Sequence, residues 1–232
     1  SYFGIGATGV DECRASVRQL VKEGADYIKI TATGGSTRTS YPLRPSFTLD
    51  ELSAICDEAH KFGIHTAAHC ASTQGIINSL DAGVDTIIHC YFRDPDGTYE
   101  YRPEIAERIA DEGVWVNPTL HQPRLSIRVL EDKQADGTLT KAEQKDIKDA
   151  RPQFDQRLEH VSRMREQGVK LVCGSDSAWA YYEMGDFQGE IDSHVQIGMS
   201  PMEAIVSATS DSARSCQIED QVGTLEVGKK AD

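Results

Sequence analysis

Four ionisable residues, Lys29, His69, His89 and Asp176, hold the same place in four stretches that share one grammar. Each stretch passes from helix-like residues through a Gly into a short apolar run and ends on the ionisable side chain. They read Gly24-Ala-Asp-Tyr-Ile-Lys29, Gly63-Ile-His-Thr-Ala-Ala-His69, Gly83-Val-Asp-Thr-Ile-Ile-His89 and Gly168-Val-Lys-Leu-Val-Cys-Gly-Ser-Asp176. A fifth, Gly113-Val-Trp-Val-Asn-Pro-Thr119, ends in Thr. Taken singly, Lys29 could pair with a carboxylate, and a histidine closing a strand is commonly a hydrogen-bonded structural residue. Brought to one rim, a lysine able to carry a bridging carboxylate, two imidazoles and a carboxylate form a set that a divalent cation such as Zn2+ accepts, with a position left for water.

The elements that must position these residues follow from the same pattern. A Gly fits the left-handed cap that closes a helix. A short apolar run between helices reads as a strand of a parallel sheet covered on both faces. The chain is therefore expected to be a βα array, an α/β fold of the (β/α)8 barrel type. Its functional residues would lie at the carboxyl ends of strands, where such folds bind ligands.

With 232 residues, 39% of them hydrophobic, the chain can bury a substantial core and one domain is the default. A net charge of −13 and a pI near 4.9 argue against nucleic acid or an anionic membrane as partner. No apolar run approaches the roughly 20 residues of a membrane span, and Ser1-Tyr-Phe-Gly lacks the regions of a signal peptide. A soluble, cytoplasmic protein is expected. The six cysteines form no CxxC pair, which suits reduced thiols. Cys70 and Cys90 directly follow His69 and His89, so strand alternation would turn both thiols outward toward the helices.

Along the chain, the pattern predicts helices over residues 10–23, 48–62 (with a Thr48/Glu51 capping box), 72–82 and 103–112. Strands are expected over 27–31, 64–69, 84–89 and 114–119. Residues 33–46, rich in Gly, Pro and polar groups, read as an active-site loop. The charged stretch 123–167 reads as a helix or helical hairpin over the barrel mouth, interrupted at Asp136-Gly137 and at Pro152, and mostly solvated. Residues 179–187 are aromatic and loop-like, Ser200-Pro201 starts a helix, and 222–232 read as turns around one short strand.

The ordered set resembles the metal-dependent amidohydrolase superfamily, in its prolidase-like (Xaa-dipeptidase) and carboxypeptidase-like branch acting on dipeptides or N-acyl amino acids. The residues that carry the resemblance are Tyr27-Ile-Lys29-Ile-Thr-Ala-Thr-Gly-Gly35, Ala67-Ala-His69, Thr86-Ile-Ile-His89, Asn117-Pro-Thr-Leu120, Gly174-Ser-Asp176, Ser207-Ala-Thr-Ser-Asp-Ser-Ala213 and Gly223-Thr-Leu-Glu-Val-Gly-Lys-Lys-Ala-Asp232. The resemblance implies Lys29 as an N-carboxylated lysine bridging two metals at the end of strand four. It implies His69 and His89, on strands five and six, as ligands of the more exposed metal. Asp176, on strand eight, becomes ligand of the buried metal and general base toward the metal-activated water. Zn2+ is the implied metal, with Mn2+, Co2+ or Fe2+ as alternatives.

The His-x-His pair of the family's first strand is absent. The expectation is a piece of such an enzyme, strands four to eight or about five eighths of a barrel. Residues 1–215 would form the partial barrel and 216–232 the start of the C-terminal part of a small β-domain. A metal held by this chain alone is expected between His69 and His89, near Lys29, with Asp176 lacking its full partner and Lys29 only partly carboxylated. Hydrolysis of a cyclic amide, carbamate or urea is one alternative; a catalytically incomplete fragment or binding module is another. A homo-oligomer, or a second chain that completes the barrel, stays open as partner. His121, just past the strand ending at Thr119, is either a substrate contact or a plain loop histidine. Tyr91, Arg38 and Arg44, in loops after strand ends, are each able to hold a substrate carboxylate. His65, His60, His160 and His194 read as structural or packing residues.

Overall fold

A computed structural model describes residues 4–35, 40–177 and 184–230. Five strands, β1 (Ile28–Ile30), β2 (Thr66–His69), β3 (Thr86–Ile88), β4 (Trp115–Asn117) and β5 (Lys170–Leu171), form one parallel sheet in chain order. Helices α1 (Val10–Lys22), α2 (Leu49–Lys61), α3 (Thr73–Asp81), α4 (Pro103–Asp111), α5 (His121–Ala135) and α6 (Lys141–Glu166) separate or precede them. After β5 come α7 (Gln188–Gln196), α8 (Pro201–Val206), a π-helical turn at Ser207–Asp211 and α9 (Ser212–Ser215).

Local signals set most of these boundaries. Thr48 with Glu51, Thr140 with Glu143 and Ser200 with Glu203 form complete capping boxes at the starts of α2, α6 and α8. Gly63 and Gly168 turn the chain out of α2 and α6 with φ of 69° and 87°, which costs a side-chain-bearing residue strain. Between sheet and helices lies the core, where Ile28, Ile30, Ala68, Ile87 and Val116 meet Val17, Leu52, Ile76, Ile109 and Met164. The thiol of Cys70 points outward as alternation requires, against Ser79 Oγ (3.3 Å) on α3, whereas that of Cys90 reaches Met164 Sδ (3.9 Å) on α6 through the left-handed backbone that follows β3. None of the six cysteines is paired.

Two expectations are corrected, and one helix stands where none is expected. Pro152 does not interrupt α6, which runs unbroken for 26 residues. A proline inside a helix costs about 3 kcal/mol, which is offset here by burial of Phe154, His160, Val161 and Met164 on the same helix. No strand forms among described residues 216–230: Leu225 and Val227 are fully exposed, and no neighbouring strand takes up their backbone groups. Helix α7 has no apolar stripe to announce it, because its buried residues are Gly189, Glu190, Ser193 and His194. The aromatic residues Trp179, Tyr181 and Tyr182 lie outside the described residues.

Candidate functional site

Register places Lys29 opposite Ala67, Ala67 opposite Thr86, and His69 opposite Ile88. Lys29 and His69 thus share the concave face, and strict alternation would give the matching place on β3 to Ile88. His89 reaches that face by another route: it and Cys90 adopt left-handed backbone, φ 68° and 57°, at the end of the strand. The turn brings the His89 ring edge-to-face with His69, centroids 4.6 Å apart. Asp176, also left-handed at φ 47°, puts Oδ2 3.9 Å from His89 Nε2. The fold therefore brings His69, His89 and Asp176 to one rim, with Lys29 close enough to act on their charge states.

The shifts of His69, His89 and Lys29 favour their neutral forms, while that of Asp176 favours its protonated form. Burial, then the Lys29 charge, pull the His69 imidazole down to about 4, while its bond to the Gly34 carbonyl opposes. Burial holds His89 well below its ordinary value, helped by His69, Arg157 and Lys29. Surrounding protein lowers the Lys29 ammonium against the pull of Asp176, although solvent reaches the side chain from the concave side. Burial raises the Asp176 carboxyl and Lys29 opposes it. At neutral pH both rings are neutral and keep a lone pair.

The hydrogen-bond network decides which nitrogen carries that lone pair. Thr119 donates its hydroxyl proton to the Pro118 carbonyl (2.8 Å), so its oxygen must accept from His89 Nδ1 (2.7 Å), leaving His89 Nε2 unprotonated. His69 Nε2 faces the Gly34 carbonyl at 3.2 Å, which can only accept, so His69 Nδ1 is free. Gly34 is held to glycine by the returning loop, because a Cβ there would lie 2.7 Å from the backbone of Tyr41.

Two neutral imidazoles with a carboxylate beside them fit a divalent cation in kind. In number they fall short: among the described residues no three His, Cys, Asp or Glu side chains form a group able to hold a metal ion. Cavities of about 460 and 200 Å3 lie elsewhere, one bordered by Arg124, Ile191 and Ile205, the other by His121, Arg128 and Phe154.

The remaining candidates scatter. Tyr91 stacks on His89 (6.3 Å, 26°) and stands at the wall of the rim, under the Arg157 guanidinium at 3.9 Å. His121 begins α5, with Nε2 2.8 Å from Asp186 Oδ2 and its backbone N–H on the buried carboxylate of Glu190 (2.6 Å). Arg44 is exposed in the loop after β1, and Arg38 lies outside the described residues. His65 bonds the Ser215 carbonyl (3.3 Å), His60 bonds Asp85 (2.8 Å), and His160 and His194 are buried, all away from the rim. Thr119 and Arg157 carry more of the site than their sequence context suggests. Thr119 has the signal of ending a strand; Arg157 has none, standing in a charged stretch that reads as solvated.

Parallel strands that gather two imidazoles, a carboxylate and a lysine at their carboxyl ends define an α/β protein of the barrel type, here part of one. The profile of the Amidohydrolase family matches residues 2–232, and the chain belongs to that family. It is 27% identical over 237 residues to ochratoxinase of Aspergillus niger, a match spanning 100% of this chain and 45% of that protein. The fold is similar to the crystal structure of a Xaa-Pro dipeptidase with methionine bound in its active site (30% identity, TM-score 0.75, 97% of this chain and 52% of that one). It is similar also to that of a putative prolidase from Bifidobacterium longum (28%, 0.76, 98% and 54%). The chain spans about half the length of these relatives. No described helix is long and apolar enough to cross a membrane.

Proposed function

We propose that the protein to which this chain belongs is a metal-dependent hydrolase of amide or peptide-like C–N bonds, with a dipeptide or N-acyl amino acid as substrate. The observation that carries the reading is the pair of neutral imidazoles, His69 and His89, 4.6 Å apart with Asp176 beside them on the rim of an amidohydrolase sheet. The names of the similar proteins, a Xaa-Pro dipeptidase, a putative prolidase and ochratoxinase, support this substrate class.

His69 Nδ1 and His89 Nε2 would hold a divalent cation, Zn2+ first among those this donor set suits. Such a cation, when bound, lowers the pKa of water and polarises the scissile carbonyl. Asp176, its carboxyl raised by burial, takes the proton of the attacking water and passes it to the leaving amine. Lys29, its ammonium lowered, is the lysine placed to react as a free amine with CO2, forming a carbamate and releasing one proton. Tyr91, stacked beside His89, is a candidate for holding a substrate carboxylate. A cytoplasmic setting and residues 216–232 as the start of a separate β-domain belong to the same proposal.

The test is metal content and turnover of the full-length protein with Lys29, His69, His89 and Asp176 each replaced by Ala, against dipeptides, N-acyl amino acids and cyclic imides. Retention of metal and activity in His69→Ala and His89→Ala would sink the reading. A second reading, a non-catalytic binding module, is favoured by the lack of a converged three-ligand group among the described residues. Metal-dependent turnover by the purified protein excludes it.

A further inference from the structure

Arg157 stands on α6 and is 2% exposed, and no carboxylate pairs with it among the described residues. A buried guanidinium without a counter-charge is costly, so its surroundings must return the loss. They do so through main-chain oxygens. Nη1 donates to the Cys90 carbonyl at 3.3 Å, while Nη2 donates to the carbonyls of His89 and, at 2.7 Å, of Pro118. The guanidinium lies over the Tyr91 ring, 3.9 Å from its centroid.

These carbonyls belong to two segments that follow strands and hold side-chain-bearing residues in left-handed backbone: His89 and Cys90 after β3, Thr119 after β4. Such conformations persist only where the surroundings over-determine them. The same Pro118 carbonyl also receives the Thr119 hydroxyl, whose oxygen accepts from His89 Nδ1. One fork thus spans both ends of the joint that orients the His89 ring. A lysine, a single-point donor on a flexible stem, cannot span it.

We propose that Arg157 is a positioning residue for His89, tying the end of β3 to the end of β4 and so holding the bond to Thr119 that leaves His89 Nε2 free as a ligand. The proposal rests on the assignment of His89 as a metal ligand.

Its test uses the full-length protein with Arg157→Lys and Arg157→Gln. Co2+ affinity is measured by titration, and the His89 ring nitrogens are followed by 15N NMR of metal-free, histidine-labelled protein. The wild type is expected to show His89 protonated on Nδ1. Both variants are expected to bind Co2+ about 10- to 100-fold more weakly and to show mixed His89 tautomers with His69 unchanged. A folded Arg157→Lys protein with wild-type affinity and an unchanged His89 overturns the proposal. Should neither variant fold, the wild-type spectrum decides, since a His89 protonated on Nε2 also overturns it. The functional reading fails by a different route, through His69→Ala and His89→Ala proteins that still bind Co2+ as the wild type does.

Discussion

Nδ1 of His89 donates to the hydroxyl of Thr119 at 2.7 Å, and the proton of that hydroxyl is committed to Pro118. The residue pair thereby fixes a tautomer as well as a ring orientation. Thr119→Val keeps the shape and removes the acceptor, and should weaken Co2+ binding about 10- to 100-fold, whereas Thr119→Ser should stay near wild type. Equal affinity of the Val and Ser variants would remove Thr119 from the site.

Gly34 serves His69 as Thr119 serves His89, by offering a carbonyl to the nitrogen opposite the lone pair. Gly34→Ala drives a Cβ into the Tyr41 backbone, so the loop must shift and the carbonyl with it. A loss of about 1–3 kcal/mol in denaturant unfolding is expected, together with weaker metal binding. A variant as stable as the wild type would show that the loop yields freely.

Glu190 is fully buried and accepts from the backbone N–H groups of Leu120 (2.9 Å) and His121 (2.6 Å), capping α5 from α7. Glu190→Ala strands both donors and should cost about 2–4 kcal/mol. Glu190→Gln keeps one acceptor and should cost less. The order of the two unfolding midpoints checks this, and a reversed order contradicts the capping role.

Acid should unfold the protein in two windows. His160, packed among Phe92, Tyr99 and Tyr101, is lowered to about 4 by burial and by Arg157. Its fold favours the neutral ring, so its contribution is full above the ordinary 6.5 and is lost as pH falls toward 4. His69 and His89 act in the same sense. Glu58 is held near 2 by Arg18 and Lys61, so its contribution is full above 4.5 and is lost as pH falls toward 2. In unfolding measured against pH, His160→Leu should flatten the upper window by about one proton and Glu58→Gln the lower. Unchanged profiles would show that these groups do not couple to folding.

Local patterns in the chain determined the parallel sheet and most of its helices. Period, capping boxes and helix-closing glycines act over a few residues, and the apolar runs left little choice of face. Lys29 and His69 were legible for that reason, as strand-borne groups on one rim, whereas Asp176, expected at a strand end, lies five residues past β5 (Lys170–Leu171) and reaches the rim from left-handed backbone. His89 was legible as a residue but not as a geometry, since alternation gives its place to Ile88 and only the left-handed turn recovers it.

What tertiary structure alone decided are the contacts in which polar groups are buried against distant partners. Arg157 meets carbonyls 68 and 39 positions away, and Glu190 meets amides 70 and 69 positions away. Nothing in the local period marks such residues, because a buried charge and a solvated one look alike until the chain segments that desolvate and satisfy it have come together. Helix α7 stayed hidden on the same ground, its buried face being polar.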